Sequence, residues 1–124
     1  MSLIQSLPEG PLDIVGDIHG EFDALLALLS HLGYDLRGHH PQGRTLVFVG
    51  DFCDRGPDSP AVLALVQKLV QSGRAAAVLG NHEINLLRED AKDGSGWFFD
   101  ARVVRDHDKY APFQRPTPQE RQDI

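Results

Sequence analysis

Cysteine is nearly absent from this sequence, in which Cys53 is the only one among 124 residues. A single thiol forms neither an internal disulfide nor a cysteine-rich zinc site, and such a composition is typical of a reducing compartment. The first residues contain no basic segment followed by an apolar one, and no apolar run approaches the ~20 residues that span a bilayer. We therefore expect a cytoplasmic protein that is neither secreted nor inserted in a membrane.

Positive charge is also scarce. Twelve Lys and Arg residues against eighteen Asp and Glu residues give a formal net charge of −6. Because this balance lacks the positive field of a non-specific nucleic-acid binder, strong nucleic-acid binding is not expected. The excess acid lies in residues 1–90, which hold six basic and twelve acidic groups, whereas residues 91–124 hold six of each. Acidic groups that converge in space call for bound cations.

The pattern of apolar residues predicts one α/β domain. Three short apolar runs predict strands, and helical spacing between them predicts two helices, with a third after the last strand. The resulting β-α-β-α-β order implies right-handed crossovers and a mainly parallel sheet. The predicted strands are 12–15, 45–49 and 75–79, and the predicted helices are 21–32, one from Asp58 or Ser59 to before Gly73, and one from about Glu83 to Asp90.

Residues 91–124 break this alternation, so we expect them to form an irregular tail or an incomplete element after a first unit, 1–90, that carries the motifs. Trp97, Phe98 and Phe99 form the strong apolar cluster of this tail and predict a hydrophobic anchor. Cys53 is interpreted as a small buried side chain rather than an exposed thiol.

Each predicted strand is followed by a glycine and then by a polar residue able to bind metal. These polar residues lie 34 and 30 residues apart, which are the lengths of βαβ units. Because parallel strands end at the same edge of a sheet, the three polar residues should emerge together there. The three segments are Val15-Gly16-Asp17, Val49-Gly50-Asp51 and Leu79-Gly80-Asn81.

These segments together predict a metal centre. Asp17 and His19 lie two residues apart, so both side chains point the same way on an extended segment, although such a pair alone is also typical of a solvated turn. Asp51 adds a carboxylate able to bridge two ions, and Asn81 adds an amide oxygen. Mixed oxygen and imidazole ligands suit Mn, Fe, Co, Ni or Zn better than Ca.

Three further side chains predict phosphate chemistry beside that centre. His82 directly follows Asn81 and is a candidate general acid, with Asp54 accepting a hydrogen bond from one of its ring nitrogens. Arg55 offers a rigid, permanently charged fork suited to phosphate oxygens. The alternative for Arg55 is a surface ion pair with Asp54 or Asp58.

The segments GDIHG, GDFCDRG and GNHE resemble the three leading motifs of the calcineurin-like metallophosphoesterases, in the phosphoprotein-phosphatase branch. Within that branch, PQGRTLVFVGDFCDRGPDS and VLGNHEINLL are most similar to bacterial diadenosine-tetraphosphatase-like enzymes and to the phosphatase module of bacterial polynucleotide kinase-phosphatases. The resemblance covers about residues 12–90. It implies the first half of a β-sandwich flanked by helices, a centre of two divalent ions with manganese as the first choice, and hydrolysis of phosphoric esters or anhydrides.

The resemblance also implies a role for each motif residue. Glu83 would support the site without binding metal. The implied metal ligands are Asp17 and His19 for the first ion, Asp51 as the bridge and Asn81 for the second ion, and the implied catalytic residues are His82 as the acid, Asp54 as its orienting partner and Arg55 as a phosphate contact.

The sequence departs from the family pattern after residue 90. Family members are longer, and two later histidines complete their second metal site. The only histidine after His82 is His107, whose charged neighbours do not resemble either segment, so we expect an exposed side chain there. The chain therefore resembles an N-terminal half that binds one metal well and the second badly.

Two hypotheses for function follow. The first is a metal-dependent phosphoesterase acting on a phosphorylated small molecule, a nucleotide or a phosphoprotein. The second is a truncated, non-catalytic metal- or phosphate-binding module, or a partial enzyme that needs a missing C-terminal half or a partner chain supplying the missing histidines. A homo-oligomer that covers an open sheet face is a further expectation. A third hypothesis, a plain nucleotide-binding α/β domain, has less support, because no GxGxxG or Walker pattern follows the first strand.

Overall fold

The computed structural model describes residues 6–99 and 113–124. Its three strands, β1 (Leu12–Val15), β2 (Thr45–Phe48) and β3 (Ala75–Ala77), form one parallel sheet in that order, which confirms the predicted α/β class. Leu12 of β1 pairs with Thr45 of β2, and Leu46 of β2 pairs with Ala75 of β3.

Strands β2 and β3 end earlier than predicted. Beyond their ends, Val49 still donates a backbone hydrogen bond to the Val15 carbonyl oxygen and Val78 donates one to that of Phe48, both at 3.1 Å. Past these hydrogen bonds the chain no longer pairs with the neighbouring strand and turns into the loops that carry the polar residues. The apolar runs therefore extend slightly beyond the regular strands.

Two of the predicted helices are confirmed, and the third begins earlier than predicted. Asp58 caps the second helix by accepting a hydrogen bond from the Ala61 N–H at 3.1 Å. The third helix begins at Asn81 because Gly80 is extended and the Glu83 carboxylate accepts the Gly80 N–H at 2.9 Å. The helices are α1 (Phe22–Leu32), α2 (Ser59–Gln71), α3 (Asn81–Leu87) and α4 (Pro118–Asp123).

Helix α4 lies in the segment predicted to be irregular. Thr117 accepts a hydrogen bond from the Glu120 N–H at 3.1 Å, and the Glu120 carboxylate accepts one from the Thr117 N–H at 2.9 Å. This reciprocal cap, with Pro118 in the first turn, is a sequence signal for a helix start. In the described parts of the chain, no helix combines the length and apolar character needed to cross a membrane.

The core lies on one face of the sheet. Right-handed crossovers between strands in consecutive order place both connecting helices on the same side. Leu29 of α1 and Val62 of α2 accordingly share one cluster with Phe48 of β2, and all three are at most 1% exposed. On the opposite side, Ile14 of β1 and Val78 just after β3 are 69% and 60% exposed. Parallel sheets are normally covered on both faces, so this face is apolar and open.

A second cluster joins the tail to the sheet edge. Trp97 and Cys53 are fully buried and pack with Leu86 and Phe99. Burial of Trp97 and Phe99 agrees with the predicted hydrophobic anchor, and burial of Cys53 agrees with its interpretation as a small apolar side chain. The predicted exposed histidine, His107, lies outside the described residues.

Strand β1 is tied to the following loop by a charged network around Asp13. Arg44 donates from Nε and the Tyr34 hydroxyl donates to the same Asp13 oxygen, at 2.9 and 2.7 Å. The Arg44 and Tyr34 hydrogen bonds lower the pKa of the Asp13 carboxyl below its usual value. A lowered folded-state pKa gives stability that is present above the unfolded-state pKa and is lost as the pH falls through the folded-state pKa.

We therefore expect Asp13→Asn to destabilise the fold at neutral pH and to change its acid response. The wild-type advantage should shrink as the pH falls below about 4, so that the two unfolding free energies converge. Urea denaturation at pH 7, 5, 4 and 3 measures this, with Glu9→Gln as a control that removes one exposed carboxylate. If the unfolding free energies of wild type and Asp13→Asn changed in parallel with pH, the lowered pKa of Asp13 would be contradicted.

Candidate metal centre

The segments that follow β1, β2 and β3 are called the strand-exit loops below. The first two of these loops are joined directly by backbone hydrogen bonds. The N–H groups of Ile18 and His19 both donate to the Asp51 carbonyl oxygen, at 3.0 and 2.9 Å, and the Gly20 N–H donates to Phe52 at 2.8 Å. These bonds bring the segment after β1 against the segment after β2. As a result, one ligand atom each from Asp17, His19 and Asp51 lies within 4.8 Å of the others.

His19 is oriented by the backbone. Its Nδ1 lies 3.0 Å from the Cys53 carbonyl oxygen. Because that oxygen only accepts, Nδ1 carries the hydrogen and Nε2 is left with a free lone pair. Nε2 lies 3.7 Å from Oδ2 of Asp17. An imidazole held by a carbonyl in this way is the usual arrangement of a histidine metal ligand.

Asn81 comes from the third strand exit and faces Asp51. With its amide nitrogen turned toward Asp51, it donates to the two carboxylate oxygens at 3.1 and 3.2 Å. Rotation of the amide by half a turn presents its oxygen at the same place, as a cation on Asp51 would require. Carboxylate oxygens, an amide oxygen and an imidazole nitrogen therefore fit a divalent transition-metal ion.

Glu83 holds two of the strand exits together. Its buried carboxylate accepts backbone hydrogen bonds from Asp51 at 2.6 Å, from Phe52 at 2.9 Å and from Gly80 at 2.9 Å. The Cys53 thiol also donates to it, at 3.1 Å. Because both Glu83 oxygens accept hydrogen bonds from the loops, this residue is suited to supporting the site rather than to binding a metal ion.

A buried histidine and aspartate pair lies beside the three metal-competent residues. His82 Nδ1 is 2.9 Å from Asp54 Oδ2, and the two residues are 8% and 0% exposed. Since the carboxylate accepts, Nδ1 carries the hydrogen and Nε2 is left free. The His82 ring lies edge-on to the His19 ring, with centroids 4.6 Å apart. Burial raises the pKa of the Asp54 carboxyl, against the opposing effect of its hydrogen bonds from Trp97 and His82.

Trp97 reaches this pair, which the sequence did not indicate. Its indole Nε1–H donates to Asp54 Oδ1 at 2.7 Å. The sequence assigned Trp97 only to an apolar cluster, and no pattern connected it with Asp54, 43 residues away.

Arg55 is exposed at the same edge. Within the described residues, no ion pair joins it to Asp54 or Asp58, because Asp54 bonds to His82 while Asp58 caps α2. The Arg55 backbone N–H donates to the Gly94 carbonyl oxygen at 2.7 Å, which fixes its place in the loop. The side chain is therefore accessible to an anion.

Backbone strain is concentrated at this edge. Among the described residues, five non-glycine residues have positive φ, and four of them belong to the predicted site. Such conformations cost roughly 1–3 kcal/mol each and persist only where the surroundings impose them. The four are His19 (47°), Asp51 (55°), Asp54 (75°) and Arg55 (74°), and the fifth is Glu89 (56°).

The glycines after the strands have different roles. A Cβ on Gly80 would lie 2.2 Å from Asp51 Oδ1 and 2.4 Å from its backbone nitrogen, so only glycine permits this approach. A Cβ on Gly16 would meet nothing within 4 Å. A close approach of the backbone therefore requires glycine at position 80 and not at position 16.

We expect Gly80→Ala to displace Asp51 and weaken metal binding, whereas Gly16→Ala should leave it nearly unchanged. A misplaced ligand typically lowers metal affinity by about 10–100-fold. Isothermal titration with Mn²⁺ measures the affinity, and circular dichroism checks that both variants are folded. Equal affinities in the two variants would contradict the packing described for Gly80.

A cavity of about 290 Å³ lies elsewhere, beside the carboxyl end of α2 and the residue that precedes β3. Arg37, Lys68 and Arg74 contribute to its wall. The strand exits form an open edge instead, so cavity volume alone does not identify the metal-competent cluster.

Comparison with known proteins adds independent findings. The family model described as calcineurin-like phosphoesterase matches residues 10–123. The asymmetrical bis(5'-nucleosyl)-tetraphosphatase PrpE of Halalkalibacterium halodurans is 49% identical over 79 residues, which cover 61% of this chain and 32% of that protein. The PrpE protein of Bacillus subtilis is 43% identical over 79 residues, with the same two coverages.

The chain is also similar to a tetraphosphatase of the type named symmetrical. The symmetrical bis(5'-nucleosyl)-tetraphosphatase of Ralstonia nicotianae is 44% identical over 77 residues, which cover 62% of this chain and 24% of that protein. The alignments thus span about a third of the PrpE proteins and about a quarter of the symmetrical enzyme.

Proposed function

Because the chain belongs to the calcineurin-like phosphoesterase family, as its three motifs predicted, we propose that it takes part in metal-dependent hydrolysis of phosphoric esters or anhydrides. The observation that carries this proposal is the convergence of Asp17, His19 and Asp51 within 4.8 Å, beside the buried pair of Asp54 and His82. A cluster of ligands next to an oriented imidazole provides the two parts that such a hydrolysis needs.

The proposed metal ligands rest on the donor atoms present and on the family resemblance. Asp17 and His19 are proposed for a first divalent ion, Asp51 as a bridge and Asn81 for a second. Bound ions would stabilise charge on the phosphoryl oxygens and make water nucleophilic at neutral pH. Manganese is the ion we propose first, from the family resemblance.

The remaining residues act on the substrate. In its doubly protonated form, His82 donates the Nε2 proton to the leaving oxygen, while Asp54 accepts the Nδ1–H and so fixes the orientation of the ring. Arg55, exposed at the same edge, contacts the phosphate oxygens with its guanidinium. Without bound cations, the carboxylates of this edge would repel a phosphate group.

Dinucleoside polyphosphates are the substrate class we propose, because the relatives are named as bis(5'-nucleosyl)-tetraphosphatases. The single, buried cysteine supports a cytoplasmic location of the protein, where such a substrate would be met. Among the described residues, Asp51 and Asn81 are the proposed ligands of the second ion, so its binding should be the weaker of the two. A partner chain that supplies further ligands is the second candidate arrangement.

Hydrolysis of bis(5'-adenosyl) tetraphosphate and p-nitrophenyl phosphate by the purified chain tests the proposal. We expect turnover that increases with Mn²⁺ and disappears when EDTA removes it. Metal binding without turnover of either substrate would favour the non-catalytic or partial-enzyme alternative. Turnover that is unaffected by EDTA would contradict the metal-dependent mechanism.

The open face of the sheet supports a homo-oligomer. We expect the chain to self-associate with increasing concentration, because exposed Ile14 lies on an uncovered parallel sheet. Ile14→Lys should shift the equilibrium to monomer, whereas Leu36→Lys, at a loop residue that is 62% exposed, should not. Sedimentation velocity measures both variants, and a wild type that stays monomeric at all concentrations would contradict the expectation.

A further inference from the structure

The indole of Trp97 makes a buried hydrogen bond to a charged group. Its Nε1–H donates to Asp54 Oδ1 at 2.7 Å, and both residues are fully buried. Trp97 is the only tryptophan in the chain. A buried indole N–H needs an acceptor, and a carboxylate is a stronger acceptor than a carbonyl group.

The two oxygens of Asp54 serve different donors. Oδ1 accepts from Trp97, while Oδ2 accepts from His82 Nδ1 at 2.9 Å. A carboxylate rotates over a broad range about its last side-chain bond, so one hydrogen bond alone fixes its plane poorly. Donors on both oxygens fix the plane and thereby the direction of the His82 ring.

Trp97 is itself held firmly against the loop that contains Asp54. It packs in the cluster with Cys53, Leu86 and Phe99. The Ser95 N–H donates to the Lys92 carbonyl oxygen at 3.0 Å, which closes a turn just before the tryptophan. This packing and this turn fix the position of the indole, so its N–H is already directed at Asp54.

We propose that Trp97 is a positioning residue for His82 and that it acts through Asp54. A phenylalanine would fill most of the same apolar volume, so packing alone does not require the nitrogen. The N–H locks the carboxylate that orients the imidazole. This inference rests on the proposed function for its effect on catalysis, but not for the geometry itself.

Two changes isolate the N–H group. Trp97→Phe removes it together with part of the ring. Replacement of Trp97 by benzothienylalanine, through genetic code expansion, exchanges the N–H for sulfur at nearly constant shape. Phe99→Leu is the matched control, because Phe99 lies in the same cluster and the substitution reduces apolar volume there.

The activity measurement compares leaving groups. A misdirected acid slows release of an alkoxide more than release of p-nitrophenolate, because the latter needs little protonation. We expect both N–H-deleting changes to lower kcat about tenfold more for an alkyl phosphate than for p-nitrophenyl phosphate. Phe99→Leu should lower both rates by the same factor. Equal losses in the benzothienylalanine protein would overturn the proposal.

An NMR measurement separates this inference from the proposed function. In the metal-free chain, the His82 Nδ1–H should exchange slowly with water, and loss of the indole N–H should speed this exchange about tenfold. Phe99→Leu should not. If the wild type hydrolyses nothing, the proposed function fails while this result still decides the role of Trp97. Unchanged exchange in the benzothienylalanine protein would overturn the inference.

Discussion

Asp51→Asn is expected to abolish metal-dependent hydrolysis, with a loss of at least about 10³-fold in kcat/KM. Asp51 is the one proposed ligand shared by both ions, and its replacement removes a negative charge and one acceptor oxygen from the centre. The substitution is a clean one, because Asp51 has a φ of 55° and asparagine is among the residues that best tolerate this region. Initial rates over a Mn²⁺ titration measure the loss.

The matched control for this prediction is Asp23→Asn. Asp23 is an exposed carboxylate in the first turn of α1, so its removal changes the net charge equally without touching the strand exits. Its rates should stay within about twofold of wild type. An Asp51→Asn chain that keeps its Mn²⁺-dependent rate would exclude Asp51 as a bridging ligand.

His82→Ala is expected to lower the rate on an alkyl phosphate by about 10²–10⁴-fold and the rate on p-nitrophenyl phosphate much less. The physical reason is that His82 supplies a proton only where the leaving oxygen is basic. His82 Nε2 is free for this task because Asp54 engages Nδ1 at 2.9 Å. Steady-state kinetics on both substrates measure the difference.

His31→Ala is the control for this prediction, since His31 is an exposed histidine in the last turn of α1. It should leave both rates unchanged. If His82→Ala reduced the two substrates by the same factor, proton donation to the leaving group would not be its role.

The sequence predicts the convergence of the strand exits because its logic is topological. Right-handed crossovers of about 30 residues bring consecutive parallel strands side by side, so residues that follow them share an edge. Chain connectivity therefore brings Asp17 and Asp51 to the same edge, where backbone hydrogen bonds between their loops complete the approach. The same rule places both crossover helices on one face and leaves the other, with Ile14, open.

Other features of the site depend on packing that local patterns do not describe. Aspartate tolerates positive φ, but which aspartate of the chain adopts it depends on loop contacts, as at Asp54. The bond from Trp97 to Asp54 joins residues 43 positions apart, and hydrophobic periodicity describes only the burial of the indole. Helix α4, by contrast, was readable from the cap formed by Thr117 and Glu120.

The most direct measurement is a titration of the purified chain with Mn²⁺, followed by electron paramagnetic resonance of the free ion. If the three strand-exit loops form a metal centre, the wild type binds Mn²⁺ tightly and Asp17→Asn weakens that binding at least about tenfold, while Asp23→Asn leaves it unchanged. A wild-type chain that binds no Mn²⁺, or an Asp17→Asn chain that binds it equally well, would contradict the metal centre described for these residues.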